Sequence, residues 1–60
     1  MEYKTGDKVK IATGKHSELW CKHMDKLQGE TVTIETVWPD GYHIEEGYFI
    51  MDKDIEGLVE

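Results

Sequence analysis

The chain holds one cysteine and three histidines, Cys21, His16, His23 and His43, among thirteen acids and seven lysines. Thiolate and imidazole are the usual ligands of zinc, so a metal sphere is the first chemistry to weigh. The spacing speaks against it. There is no CxxC and no HxxxH, and Cys21 and His23 stand two apart, on one face of a strand but on diverging faces of a helical turn. No metal and no cofactor is expected. Cys21 with a nearby histidine and Asp25 has the residue types of a nucleophilic site, because a thiolate needs a base within hydrogen-bond reach. A chain of 60 residues leaves little room for a pocket that excludes water around it. Ser17 stands in KHSEL, outside any G-x-S-x-G elbow. TGKHS fails twice as a phosphate loop, with Val9 where the first glycine belongs and His16 where serine or threonine should follow the lysine. Glu45 and Glu46 are neighbours on a turn and point apart, which suits solvation better than acid–base work. The expectation is a protein that is not an enzyme.

The stretch VWPDGYHIEEGYFIM offers a different chemistry, that of contact. It concentrates large apolar groups on two alternating segments, more than one buried face can hold. If Ile44 and Ile50 face inward, then His43, Phe49 and Met51 face outward. Trp38 lies at the mouth of the Pro-Asp-Gly turn, and Trp20 lies in a long loop nearer the N-terminus. Exposed aromatics gathered in one place form the anchor patches enriched at protein interfaces. The competing reading makes Trp20 and Trp38 lids over the ends of the core, since large aromatics usually bury most of their area. The acids Glu35, Asp40, Glu45, Glu46, Asp52, Asp54 and Glu56 form the expected polar rim. The candidate binding residues are therefore Trp38, Phe49, His43, Met51, Trp20, Glu45, Glu46, Asp52 and Asp54.

The elements that position these residues read as follows. GDKVKIAT alternates, with Val9 and Ile11 on one side and Lys8 and Lys10 on the other, which is a half-buried strand. In ELWCKHMDKL the apolar spacing of Leu19, Trp20, His23, Met24 and Leu27 fits one or two helical turns, with Ser17 placed to cap them. An irregular loop pinned by Trp20 and Met24 fits segment 17–27 equally well. ETVTIETVW is the clearest strand. Val37 is out of phase with Val32 and Ile34, so either it faces out or a bulge near Glu35 and Thr36 resets the register. PDG is a turn in which the glycine is expected to take a positive φ. YHI, a second turn at EEG, YFIM, a short 3₁₀ turn at DKD and the strand IEGLV complete the chain. The expected core is Val9, Ile11, Met24, Leu27, Val32, Ile34, Ile44, Ile50, Ile55 and Leu58. A strand, a long excursion, a three-stranded meander, a 3₁₀ turn and a closing strand is the order of a five-stranded, all-β SH3-like barrel, here a single domain over residues 1–60.

The charge is uneven. The net charge is −6, yet residues 1–28 carry six lysines against four acids, and residues 29–60 carry nine acids against Lys53 alone. Arginine and asparagine are absent. A base-reading or phosphate-tracking surface normally brings Arg, Asn or Gln and a basic balance, so the composition argues against ordinary nucleic-acid binding. It suits a basic partner or simply solubility. Apolar runs are too short for a membrane span. MEYKTGDK shows neither a basic n-region nor an apolar h-region, so a cytoplasmic protein with a free thiol is expected.

GDKVKI, W..HMDKLQGETVTI and GYHIEEGYFIMDKDIEGL together resemble small SH3-like barrel proteins encoded by phages and prophages of Gram-positive bacteria. The likeness runs from Gly6 to Leu58 and rests on turn glycines and apolar spacing. Those sequences often carry alternating Trp in the fourth strand, where this chain has YFIM. The resemblance implies a host-directed binding role and brings no catalytic residues. The leading expectation is thus a non-enzymatic protein-binding module, a modulator or inhibitor of a host protein acting through an aromatic patch ringed by acid. Three alternatives stand beside it. The acids of residues 29–60 could mimic nucleic acid in a basic groove. Lys4, Lys8, Lys10, Lys15, Lys22 and Lys26 could bind nucleic acid weakly. The aromatics could be buried between the copies of a homodimer.

Overall fold

The computed structural model describes residues 3–59. Its strands are β1 (Lys8–Ile11), β2 (Thr31–Trp38), β3 (Gly41–Ile44), β4 (Phe49–Ile50) and β5 (Ile55–Val59), with 3₁₀ turns at Lys22–Leu27 and Asp52–Asp54. They form one antiparallel sheet in the order β4-β3-β2-β1-β5. The all-β class, the five strands and the 3₁₀ turn before the last strand agree with the sequence reading. The expected closure into a barrel does not: β4 and β5 stand at opposite ends of the sheet and share no ladder. With only two residues in β4 and a 3₁₀ turn directly after Met51, there is no length of strand left to make that seam.

Alternation builds the core. Val9 and Ile11 on β1 face Val32 and Ile34 on β2, and Tyr42, Ile44 and Ile50 extend the same face across β3 and β4. Nine of the ten expected core positions are buried. The exception is Leu58, 52% exposed. It lies opposite Val9, but β5 is the last strand and nothing beyond it covers the side chain. The tenth buried hydrophobic side chain is Tyr42, fully enclosed. At about 25 cal/mol per Å² of apolar area removed from water, such fully buried branched and aromatic groups contribute roughly 2 kcal/mol each.

Two bulges bend the sheet around this core. Between Ile34 and Thr36, Glu35 is the extra residue against Ile44 and His43. Between Lys10 and Ile11, Glu56 is the extra residue on β5. Bulges increase local twist and re-aim the side chains that follow. Past the first of them Val37 pairs with the buried Tyr42, so the bulge resets the register and returns Val37 to the core side, where near the end of β2 it is still 40% exposed.

Segment 17–27 is a loop followed by a 3₁₀ turn. At three residues per turn, residues three apart lie on one line. Met24 and Leu27 therefore share the buried side, while Leu19 and His23 are exposed. Ser17 does not cap this turn, because its amide and hydroxyl are both bound to Asp54. The loop is closed at its base by the Gly29 amide on the Ile11 carbonyl and the Ile11 amide on the Glu30 carbonyl.

The turn between β2 and β3 is Pro39 and Asp40, with Trp38 paired directly to Gly41. Gly41 does not take the expected positive φ. Glycine is needed there for space: a Cβ would stand 2.5 Å from Phe49 Cζ and 2.6 Å from the Ile50 carbonyl oxygen. The positive φ occurs instead at Gly47, +97°, whose amide donates to the Ile44 carbonyl in the β3–β4 turn.

Candidate binding face

Three strands bring Trp38, His43 and Phe49 onto the outer surface of the sheet. Thr36 on β2 and Phe49 on β4 are the cross-strand partners of His43, and Trp38 follows Thr36 by two residues, the period of one strand face. Trp38 is 46% exposed, His43 is exposed and Phe49 is half-buried. The three rings are ordered by direct contacts. The Trp38 Nε1–H donates to His43 Nδ1 at 2.8 Å, and the two rings meet edge-on at 5.9 Å and 78°. His43 meets Phe49 edge-on at 5.2 Å and 75°. Phe49 in turn rests on Gly41. Edge-to-face geometry is the favourable arrangement of aromatic quadrupoles. Because an indole nitrogen can only donate, His43 Nδ1 must accept, and the imidazole is neutral with its proton on Nε2.

Beside this face lies a cleft of about 270 Å³. Its walls are Ser17 and Glu18 of the long loop, Pro39, Asp40 and Gly41 of the β2–β3 turn, and Met51, Asp52 and Lys53 at the second 3₁₀ turn. The turn of Pro39 to Gly41 belongs to both features, since Trp38 precedes it and Phe49 covers its glycine. Glu18, Asp40 and Asp52 set the sign of the lining, with Lys53 its one cation. Asp52 accepts the Tyr42 hydroxyl at 2.8 Å. Burial foremost, then the hydrogen bond to and the charge of Asp52, pushes the Tyr42 phenol up to about 12.

The remaining predicted residues fall into separate places. Met51 is half-buried and lines the cleft rather than joining the three rings. Glu45 and Glu46 are exposed on the β3–β4 turn, while Asp40 lies at the other end of β3, so acids flank the strand at both ends. Asp54 is no rim residue. It is fully buried, with Oδ1 accepting the Ser17 amide at 2.7 Å and Oδ2 accepting the Ser17 hydroxyl at 2.7 Å and the Met51 amide at 3.0 Å. The sequence placed it outside because an acid in a DKD turn ordinarily faces water, and its partner lies 37 residues away. Trp20 is not on the outer face either. It stacks on His16 at 3.7 Å and 9°, donates Nε1–H to Asp25 Oδ1 at 2.8 Å, and packs against the core. His16 Nε2 lies 2.7 Å from the Ala12 carbonyl oxygen.

Sequence reasoning missed the cleft. The only hint was a Pro-Asp-Gly turn and an acid-rich second turn, with no sign that the long loop would reach them. Among the described residues no three His, Cys, Asp or Glu side chains gather as a metal-binding group, and Cys21 is an exposed free thiol. Of the lysines, Lys8 and Lys10 project from the outer face of β1, and Lys26 sits over the Tyr48 ring at 5.7 Å. No helix among the described residues is long and apolar enough to cross a membrane. No family model, curated protein or solved structure matches the chain.

Proposed function

We propose that this chain is a non-enzymatic protein-binding module of SH3-like arrangement, whose contact surface is the Trp38–His43–Phe49 face with the acidic cleft beside it. The single observation that carries the reading is the ordered exposure of the three rings. A tryptophan left half in water gains nothing for the core, yet here it is held in one orientation by a hydrogen bond and an edge contact to His43, which in turn meets Phe49 edge-on. Preorganised aromatic groups with few rotatable bonds are the side chains that supply most binding energy at interfaces, because little entropy is lost on docking. The strand order, the long first loop and the 3₁₀ turn before β5 support the SH3-like comparison. The acids at both ends of β3 and around the cleft favour a partner with an apolar anchor and basic groups next to it. The resemblance to phage-encoded proteins makes a host protein the expected partner.

The test is affinity capture from extracts of the source organism or its host, followed by a measured Kd for any stoichiometric partner. Trp38→Ala and Phe49→Ala should each weaken that complex at least tenfold, about 1.4 kcal/mol, while far-UV circular dichroism stays unchanged. Full binding by both variants would exclude this face. A complex that survives them but is lost on reversing Glu45, Glu46 and Asp52 to lysine, with a steep salt dependence, would favour the nucleic-acid mimic instead.

A further inference from the structure

The molecule contains two tryptophan–histidine pairs, and their hydrogen bonds assign opposite roles to the proton. From this geometry we infer that His43 is a proton-operated latch on Trp38, so that the outer aromatic face is ordered when the imidazole is neutral and loses its tryptophan when the imidazole is charged.

His43 Nδ1 accepts from the Trp38 indole at 2.8 Å. Imidazolium has two N–H donors and no acceptor, so neither the present orientation nor a flipped ring can receive that bond after protonation. Trp38 is the last residue of β2 and nearly half exposed, so it has little else to hold its side chain. The groups around His43 do not replace the lost contact. From β2 they are Thr36 and Trp38, from β4 Phe49, and none of these carries charge. The acids nearest in sequence, Asp40, Glu45 and Glu46, are exposed, and among the described residues no ion pair joins them to His43. His16 behaves otherwise. Its Nε2 faces a carbonyl oxygen, which only accepts, so the imidazole donates there already. A second proton on His16 costs no hydrogen bond and places a cation against the face of Trp20, an attractive arrangement. Acid therefore loosens the sheet tryptophan and leaves the loop tryptophan in place.

The effect on a partner rests on the proposed function, but the release of Trp38 does not, and the first experiment uses the free protein alone. Two-dimensional ¹⁵N–¹H spectra of labelled protein, recorded from pH 8 to pH 5 where imidazoles change charge, follow both indole N–H groups. The Trp38 resonance should move with the same midpoint as the His43 ring protons, and its protection against solvent exchange should fall about fivefold, the share of one ordinary hydrogen bond. The Trp20 indole N–H, bound to Asp25, should keep its protection against exchange over the same range. His43→Asn keeps an acceptor, Oδ1, near the position of Nδ1 and does not titrate, so the Trp38 resonance should become pH-independent in that variant. A Trp38 resonance that stays fixed while the His43 ring titrates overturns the inference, as does unchanged pH dependence in His43→Asn. With a partner in hand, binding should weaken toward acid pH in the wild type and not in His43→Asn. Loss of that difference while the spectra behave as described would count against the binding face and leave the latch standing.

Discussion

The long loop and the outer sheet face each hold a tryptophan beside a histidine, yet they use the pair differently. In the loop, Trp20 and His16 lie flat against one another at 3.7 Å, and both polar tips are spent on fixed partners, Asp25 and the Ala12 carbonyl. That pair pins an irregular segment to the core. On the sheet, Trp38 and His43 meet edge-on, bond to each other, and leave their rings toward solvent. The strands are already held by their ladders, so the second pair has no structural task of the same weight. The comparison teaches that residue type alone does not separate a structural aromatic from a contact aromatic. What separates them is whether the backbone beneath has other means of support.

The sharpest way to break the loop side of this comparison is Asp54→Ala. It removes the acceptor of two amides and a hydroxyl in a fully buried site, leaving the Ser17 and Met51 amides without that partner. The expected cost is about 3 kcal/mol, a large part of what a domain of this size has, and thermal unfolding should show a midpoint lower by roughly 15 °C. The two tryptophans come next. Trp20→Ala should destabilise by about 2 kcal/mol, because a core-packed ring and its hydrogen bond are lost. Trp38→Ala should cost about 0.5 kcal/mol or less by the same thermal unfolding, while weakening the proposed partner complex at least tenfold. Equal losses of stability would erase the distinction between the two regions.

A pH effect concerns the side of β3 that faces away from the three rings. The Tyr42 phenol is raised to about 12 from an ordinary 10, so the folded state holds its proton more tightly than the unfolded chain does. Its contribution is complete below pH 10 and is lost as pH rises from 10 to 12, by something like 2 kcal/mol over that interval. Stability measured in this range should fall less steeply in Tyr42→Phe than in the wild type.

Much of this was legible from the sequence where the cause is local. Period-two alternation placed Val9, Ile11, Val32, Ile34, Ile44 and Ile50 inside and His43 and Phe49 outside, and the phase slip at Val37 announced the bulge at Glu35. What failed was set by residues far apart. Leu58 has the right phase but lies on a strand with no further neighbour. Asp54 reads as a surface acid until the long loop brings Ser17 onto it. The Trp38–His43 bond could not be read at all, since alternation gives a face and says nothing of which nitrogen meets which.

One consequence follows from the shortness of β4. The aromatic half of the sheet ends in a strand of two residues, Phe49 and Ile50. Its free side presents too few amide and carbonyl groups to template an incoming strand. Binding at the proposed face would therefore run through side chains, and a partner would be free to present a helix, a loop or a folded surface. The same feature lets the protein display three aromatic rings without inviting its own copies to extend the sheet into a fibre.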